Sequence, residues 1–161
     1  MKAIINSSPL IAFGGIKKID ILNTVFSEII IPQEVYNETI ANGKDDEVLN
    51  LINQNLQYKV VAATNIVLIE FLNDYLDKGE AEVIALAKEL DIVTVIIDEA
   101  KGRKIARRHG LDVVGSLGTL MIAKNNGVIS SVREHMDVMI QNGIRIGDDI
   151  KAKVLKMSGE Q

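Results

Sequence analysis

Ile92-Val93-Thr94-Val95-Ile96-Ile97 is an unbroken, mostly β-branched run that stops abruptly at Asp98-Glu99. Short continuous apolar runs of this kind read as strands buried on both faces, as a parallel sheet covered by helices requires. The opening stretch repeats the pattern, with Ala3-Ile4-Ile5 ending at Asn6-Ser7-Ser8-Pro9. A third run, Glu28-Ile29-Ile30-Ile31, leads into Pro32. In parallel sheets ligands sit beyond the carboxyl ends of the strands. Polar clusters at two strand exits therefore predict one acidic pocket, and such a pocket suits a hard cation.

Working outward, residues 9–13 and 18–26 read as helical segments separated by Gly14-Gly15. Pro32 suits the first position of a helix that passes Val35, Tyr36 and Ile40 and stops near Asn42-Gly43. Further helices are expected over 45–53, 64–76, 79–90, from Asp98 through His109, and over 116–125, 130–141 and 148–157. Brief strands fall at 58–61 and 112–114, and Ile144-Arg145-Ile146 reads as extended. Strands alternating with helices define an α/β domain with a mainly parallel sheet. One domain spans 1–157, and residues 158–161 are expected to fray.

Composition narrows the chemistry. With 161 residues, 47% of them hydrophobic but only 4% aromatic and no Trp, the core must be built from Ile, Val, Leu and Ala. The absence of Cys removes disulfides, thiolate zinc sites and Cys nucleophiles. Two histidines, His109 and His135, are too few for an imidazole metal cluster; the first reads as a helix-terminal residue, the second as an ordinary surface one. A net charge of −4 argues against a simple basic nucleic-acid binder, but not against acids gathered at an ion and bases placed elsewhere. No apolar stretch approaches the ~20 residues of a membrane helix, and Asn6-Ser7-Ser8-Pro9 interrupts any signal-peptide core. A cytoplasmic location is expected.

Helical periodicity sorts the acids. At about 100° per residue, Glu80 falls in the stripe of Val83, Ile84 and Ala87, while Glu82 and Glu89 point outward. A carboxylate in a buried stripe needs a partner. A shared cation is one; capping its own helix start is another. Glu38 follows Val35 by three residues, beside the packed face of its helix. Asp98 suits either an ion or a helix N-cap, and Glu99 adds a second charge where a cap needs only one. Lys101, Arg103, Lys104, Arg107 and Arg108 fall on one side of the following helix. They form either a phosphate-binding face or a solvated one.

Taken in order, Ile5-Asn6-Ser7-Ser8-Pro9-Leu10-Ile11, Ile31-Pro32 with Val35-Tyr36-Asn37-Glu38, Gly79-Glu80-Ala81-Glu82, Ile97-Asp98-Glu99 and Gly115-Ser116-Leu117-Gly118 resemble a PIN domain. More narrowly, they resemble the prokaryotic subfamily that opens Asp/Asn-Ser/Thr-Ser-Pro-Leu-Ile and carries Gly-Glu-Ala-Glu. The resemblance covers nearly the whole chain. It implies a three-layer α/β/α fold with a mainly parallel central sheet of four to five strands. It implies a Mg²⁺- or Mn²⁺-dependent ribonuclease acting on single-stranded or structured RNA, often the toxin of a toxin–antitoxin pair and often a homodimer. The family's acidic positions correspond to Asn6, Glu38, Glu80 and Asp98, with Glu99 as a further ligand and Ser8 as the accessory hydroxyl that orients Asp98 or a water. Asn6 departs from the usual Asp: its carbonyl can ligate a cation but brings no charge. Two other readings stay open. One is a PIN-fold nucleic-acid- or partner-binding module disabled by Asn6; the other is a phosphoacceptor or phosphatase-like α/β protein using Asp98.

Overall fold

The computed structural model describes residues 1–43 and 45–161. Five strands form one sheet, β1 (Lys2–Ile5), β2 (Glu28–Pro32), β3 (Tyr58–Val61), β4 (Thr94–Ile96) and β5 (Asp112–Val114). Their order is β3-β2-β1-β4-β5, and every pairing is parallel. β1 lies at the centre, where Ala3 pairs with Ile29 on one side and with Thr94 on the other. That position explains its composition: Ala3, Ile4 and Ile5 are fully buried, so both faces of the strand must be apolar.

The helices are α1 (Ser7–Gly15), α2 (Asp20–Val25), α3 (Gln33–Tyr36), α4 (Asp46–Asn55), α5 (Ile66–Asn73), α6 (Lys78–Leu90), α7 (Ala100–Arg108), α8 (Ser116–Asn125), α9 (Val132–Gln141) and α10 (Asp148–Met157). A π-helical turn (Asn37–Ala41) continues α3. From β1 the chain steps outward to β2 and β3, then returns across the sheet to β4 and β5. Because such crossovers are right-handed, the helices that connect the strands of the two halves cover opposite faces, and α8, after the last strand, returns to pack beside α1 and α2. α6 packs on β1, β2 and β4, while α1 packs on α4 and α8. The reversal between β1 and β4 opens a crevice at their carboxyl ends, which is where this topology places a site.

Several expectations are corrected. The 92–97 run contributes only Thr94–Ile96 to the ladder, and Pro32 closes β2 as the residue before α3 instead of opening the helix. Residues 144–146 are irregular and link α9 to α10. Within residues 158–161 one side chain is held. Glu160 accepts hydrogen bonds from the Val132 and Arg133 backbone N–H groups (2.8 and 3.1 Å), Ser131 Oγ (2.9 Å) and Lys124 Nζ (2.9 Å). A carboxylate set against the open N–H groups of α9 satisfies donors that the helix itself leaves free.

Candidate active site

At the exit of β1, the Asn6 N–H bonds the Ile96 carbonyl (3.0 Å), stitching this strand end to that of β4. Asn6 is 3% exposed. Ser7 and Ser8 then open α1, and successive residues in a helical turn point in different directions. The Ser7 hydroxyl accordingly donates to Glu38 on the π turn, and the Ser8 hydroxyl to Glu99 at the exit of β4. Two adjacent serines thus hold two carboxylates from distant stretches on the two sides of one crevice.

Glu80 enters between them from the first turn of α6. Asp77 caps that helix by accepting the Glu80 N–H (2.8 Å). The Glu80 carboxylate is in a residue only 7% exposed, and among the described residues no cation or side-chain donor bonds to it. Burial pushes it up to about 7, helped by the charges of Asp77, Glu99 and Glu38 and partly opposed by the Asp77 backbone N–H. Glu38 is also raised, first by burial and then, against the pull of Ser7, by Asp77, Glu34 and Glu99. Glu80 feels Glu38, and both feel Asp77 and Glu99. They form one electrostatic cluster.

An absent side chain lets the cluster close. A Cβ on Gly79 would stand 2.5 Å from Glu38 Oε1, whereas one on Gly102 would crowd Ile97 Cγ2 at 3.1 Å and meet Glu80 only at ordinary contact distance. The Gly79-Glu80 pair therefore places its acid by bringing α6 against the π turn.

Asp98 lies elsewhere on the rim. Its Oδ1 accepts the Ser116 N–H (2.7 Å) and its Oδ2 the Ser116 hydroxyl (2.6 Å). It does not cap its own helix: Glu99 is the residue before α7 and makes no capping bond. Asp98 instead serves the N-terminus of α8. Gly115 permits this, since a Cβ there would lie 3.0 Å from Asp98 Oδ1 and 2.6 Å from Arg103 Nη1. Ser8 bonds Glu99, so its expected partnership with Asp98 is corrected as well.

Glu82 also departs from expectation. It is 8% exposed and accepts the backbone N–H groups of Glu34 (2.7 Å) and Ala63 (3.2 Å). The outward reading assumed a solvent face, but Gly79 through Ala87 are all buried, and a helix covered all round has no outside. Of the five bases of α7, Lys101, Lys104, Arg107 and Arg108 are exposed. Arg103 turns inward, donating to the Ile97 carbonyl (2.9 Å), and burial lowers its pKa.

A family model described as a PIN domain matches residues 2–160. This chain belongs to the PIN-domain family. Among curated proteins none matches it.

In this PIN domain, no three Asp, Glu or His side chains among the described residues are grouped closely enough to hold an ion as they stand. The donor chemistry nonetheless fits a hard divalent cation. Every available ligand is oxygen, and Glu80 is a buried acid with neither a cation nor a side-chain donor beside it. Ser7 and Ser8 each hold one of these carboxylates, Glu38 and Glu99, through a hydroxyl. Ser7, Asp77 and Ser116 were not singled out from the sequence as site residues. Asp77 had a local signal, since Asp-x-x-Glu is capping-box spacing. Ser7 and Ser116 had none beyond lying in motifs, because their partners are remote in the chain.

Proposed function

We propose that this PIN domain is a metal-dependent endoribonuclease that uses Mg²⁺ or Mn²⁺, in the role of a toxin restrained by a cognate antitoxin. The observation that carries the reading is Glu80, a buried carboxyl near neutral pKa with Glu38 and Glu99 beside it, in the crevice between β1 and β4. Glu38, Glu80, Glu99 and the Asn6 carbonyl would hold the cation. When bound, such an ion supplies an activated water and neutralises charge on the attacking and leaving oxygens.

The chain's own residues do the rest. Glu80, raised to about 7, shares its population between protonated and ionised forms near neutral pH, and bound positive charge would favour the ionised one. Ser7 and Ser8 steady Glu38 and Glu99. Asp98, gripped by Ser116, fixes the peptide that presents Glu99. Lys101, Lys104, Arg107 and Arg108 offer phosphate contacts whose strength falls with added salt; Arg103 buttresses that helix. The phosphoacceptor reading finds no phosphate-gripping Gly-rich loop in the sequence. The disabled-module reading rests on Asn6 alone.

Mn²⁺ titration by calorimetry and cleavage of labelled single-stranded RNA test the proposal together. Wild type is expected to bind Mn²⁺ and to cleave. Glu80→Gln and Glu99→Gln are expected to lose both. Cleavage that survives chelation of all divalent ions overturns the metal mechanism, and Mn²⁺ binding without cleavage of any RNA leaves the binding module standing.

A further inference from the structure

Beside the carboxylate rim, under α1, α8 and the link from α9 to α10, lies a hollow of about 430 Å³. Ser8, Asp98 and Ser116 line one end of it, and all three belong to the network described above. Its walls are aliphatic, including Ile11, Leu117, Met139 and Ile144. Arg145 also lines it, is exposed, and makes no ion pair among the described residues. The volume is that of a small-molecule site, and the make-up is the usual one, apolar walls with a few convergent polar groups.

We propose that this hollow seats one unstacked nucleobase of the RNA strand, adjoining the phosphate addressed by the carboxylate rim. The proposal rests on the ribonuclease reading and gives that site a specificity element. The chemistry selects the occupant. A phosphate needs several donors, and only Arg145 is cationic. A sugar needs hydroxyl partners along its length, and the walls have none. A flat base needs apolar walls, polar groups at one edge and a guanidinium able to stack or to take the neighbouring phosphate, the mode by which single-stranded RNA is read. Continuity with the rim puts base and phosphate within one nucleotide of each other.

The polar end further restricts which base fits. The Ser8 hydroxyl proton is given to Glu99 and the Ser116 hydroxyl proton to Asp98. What these three residues still offer is acceptor-only, hydroxyl lone pairs and the second lone pair on each Asp98 oxygen, while the donors of the hollow belong to Arg145 on the link from α9 to α10. Cytosine, adenine and guanine present exocyclic amines to such a surface, as in known carboxylate–cytosine pairing. Uracil presents two carbonyls flanking its single N–H and is disfavoured.

The test uses the full chain in chelator, where binding is read apart from cleavage. The probes are labelled single-stranded oligo-C, oligo-A and oligo-U, followed by fluorescence anisotropy. Wild type is expected to bind oligo-C and oligo-A about tenfold more tightly than oligo-U, in line with the worth of one seated base. Leu117→Trp, which fills the hollow, should abolish that preference. Arg145→Ala, at an exposed position that leaves folding intact, should reduce it and weaken all three strands. Equal binding of the three strands, or a preference untouched by both variants, overturns the proposal and leaves the hollow to a protein partner. Mn²⁺-dependent cleavage of the same strands separates the two ideas. Cleavage without base preference removes the seat and spares the nuclease, whereas base preference without cleavage removes the nuclease and spares the seat.

Discussion

The Asp98 carboxylate grips Ser116 twice, through the backbone N–H at 2.7 Å and the hydroxyl at 2.6 Å. One side chain thereby joins the exit of β4 to the start of α8, and the acid that follows it, Glu99, is left to face the crevice. Asp98→Ala strands an N–H and a hydroxyl and is expected to cost about 2 kcal/mol in urea unfolding. Asp98→Asn keeps an acceptor for one of them and should retain most of the Mn²⁺ affinity. Glu99→Gln should show the reverse, near-normal unfolding with Mn²⁺ binding lost. Equal loss of metal in Asp98→Asn and Glu99→Gln would count against this division of labour.

Metal-free stability should depend on pH in opposite directions at the two ends of the range. Glu80 has a folded pKa of about 7 against an ordinary 4.5. The unfolded chain therefore releases this proton first, and the contribution of Glu80 is complete below about pH 4.5 and lost as pH rises through 7. Glu38 is raised too and acts in the same sense. Burial of Glu160 acts to raise its pKa, but Lys124, the Val132 and Arg133 N–H groups and Ser131 outweigh that and hold it at about 2. Its contribution is complete above the ordinary 4.5 and is lost as pH falls towards 2. Denaturant midpoints in chelator should fall on both sides of a weakly acidic optimum. Glu80→Gln should flatten the alkaline limb alone, and Glu160→Gln the acid limb alone.

Asn6 sets the charge of the crevice. Asn6→Asp adds a carboxylate at a position 3% exposed, at the strand exit next to Ser7, which holds the raised acid Glu38. Charges about 4 Å apart interact by roughly 4 kcal/mol at an effective dielectric near 20, and repulsion among the acids takes back part of any gain. The expected result is Mn²⁺ binding tighter by about tenfold, with metal-free stability lowered near pH 8. Unchanged affinity in calorimetry would mean that Asn6 does not reach the ion.

α5 and the turn that follows it present Ile66, Val67, Phe71 and Tyr75 to solvent, with the Phe71 and Tyr75 rings 6.0 Å apart between centroids. An apolar helix face of this kind supports the homodimer that we propose for the intact protein. Phe71→Glu should shift the protein to monomer in sedimentation, and should leave Mn²⁺ binding unchanged because α5 contributes nothing to the crevice. A wild-type protein already monomeric at high concentration would refute the dimer.

Much of this architecture was readable along the chain. The buried runs at β1, β2 and β4 announced a parallel sheet, because a strand covered on both faces has no polar alternation to confuse with a helix. Helices α8 and α10 begin and end where their local signals place them, at Ser116, Asn125, Asp148 and Met157. Glu80 could be recognised as an inward acid from periodicity alone. Glu82 and Arg103 were read less well, for a shared reason.

Local pattern determined what each segment is and which side it buries, because backbone hydrogen bonding and apolar spacing act within a few residues. Only the folded molecule decided whom each polar group meets. Ser116 for Asp98, Ser8 for Glu99, the Glu34 and Ala63 N–H groups for Glu82, and the start of α9 for Glu160 are partners separated by 18 to 91 residues. A buried carboxylate must find a donor somewhere, but which donor comes within reach depends on how sheet and helices stack.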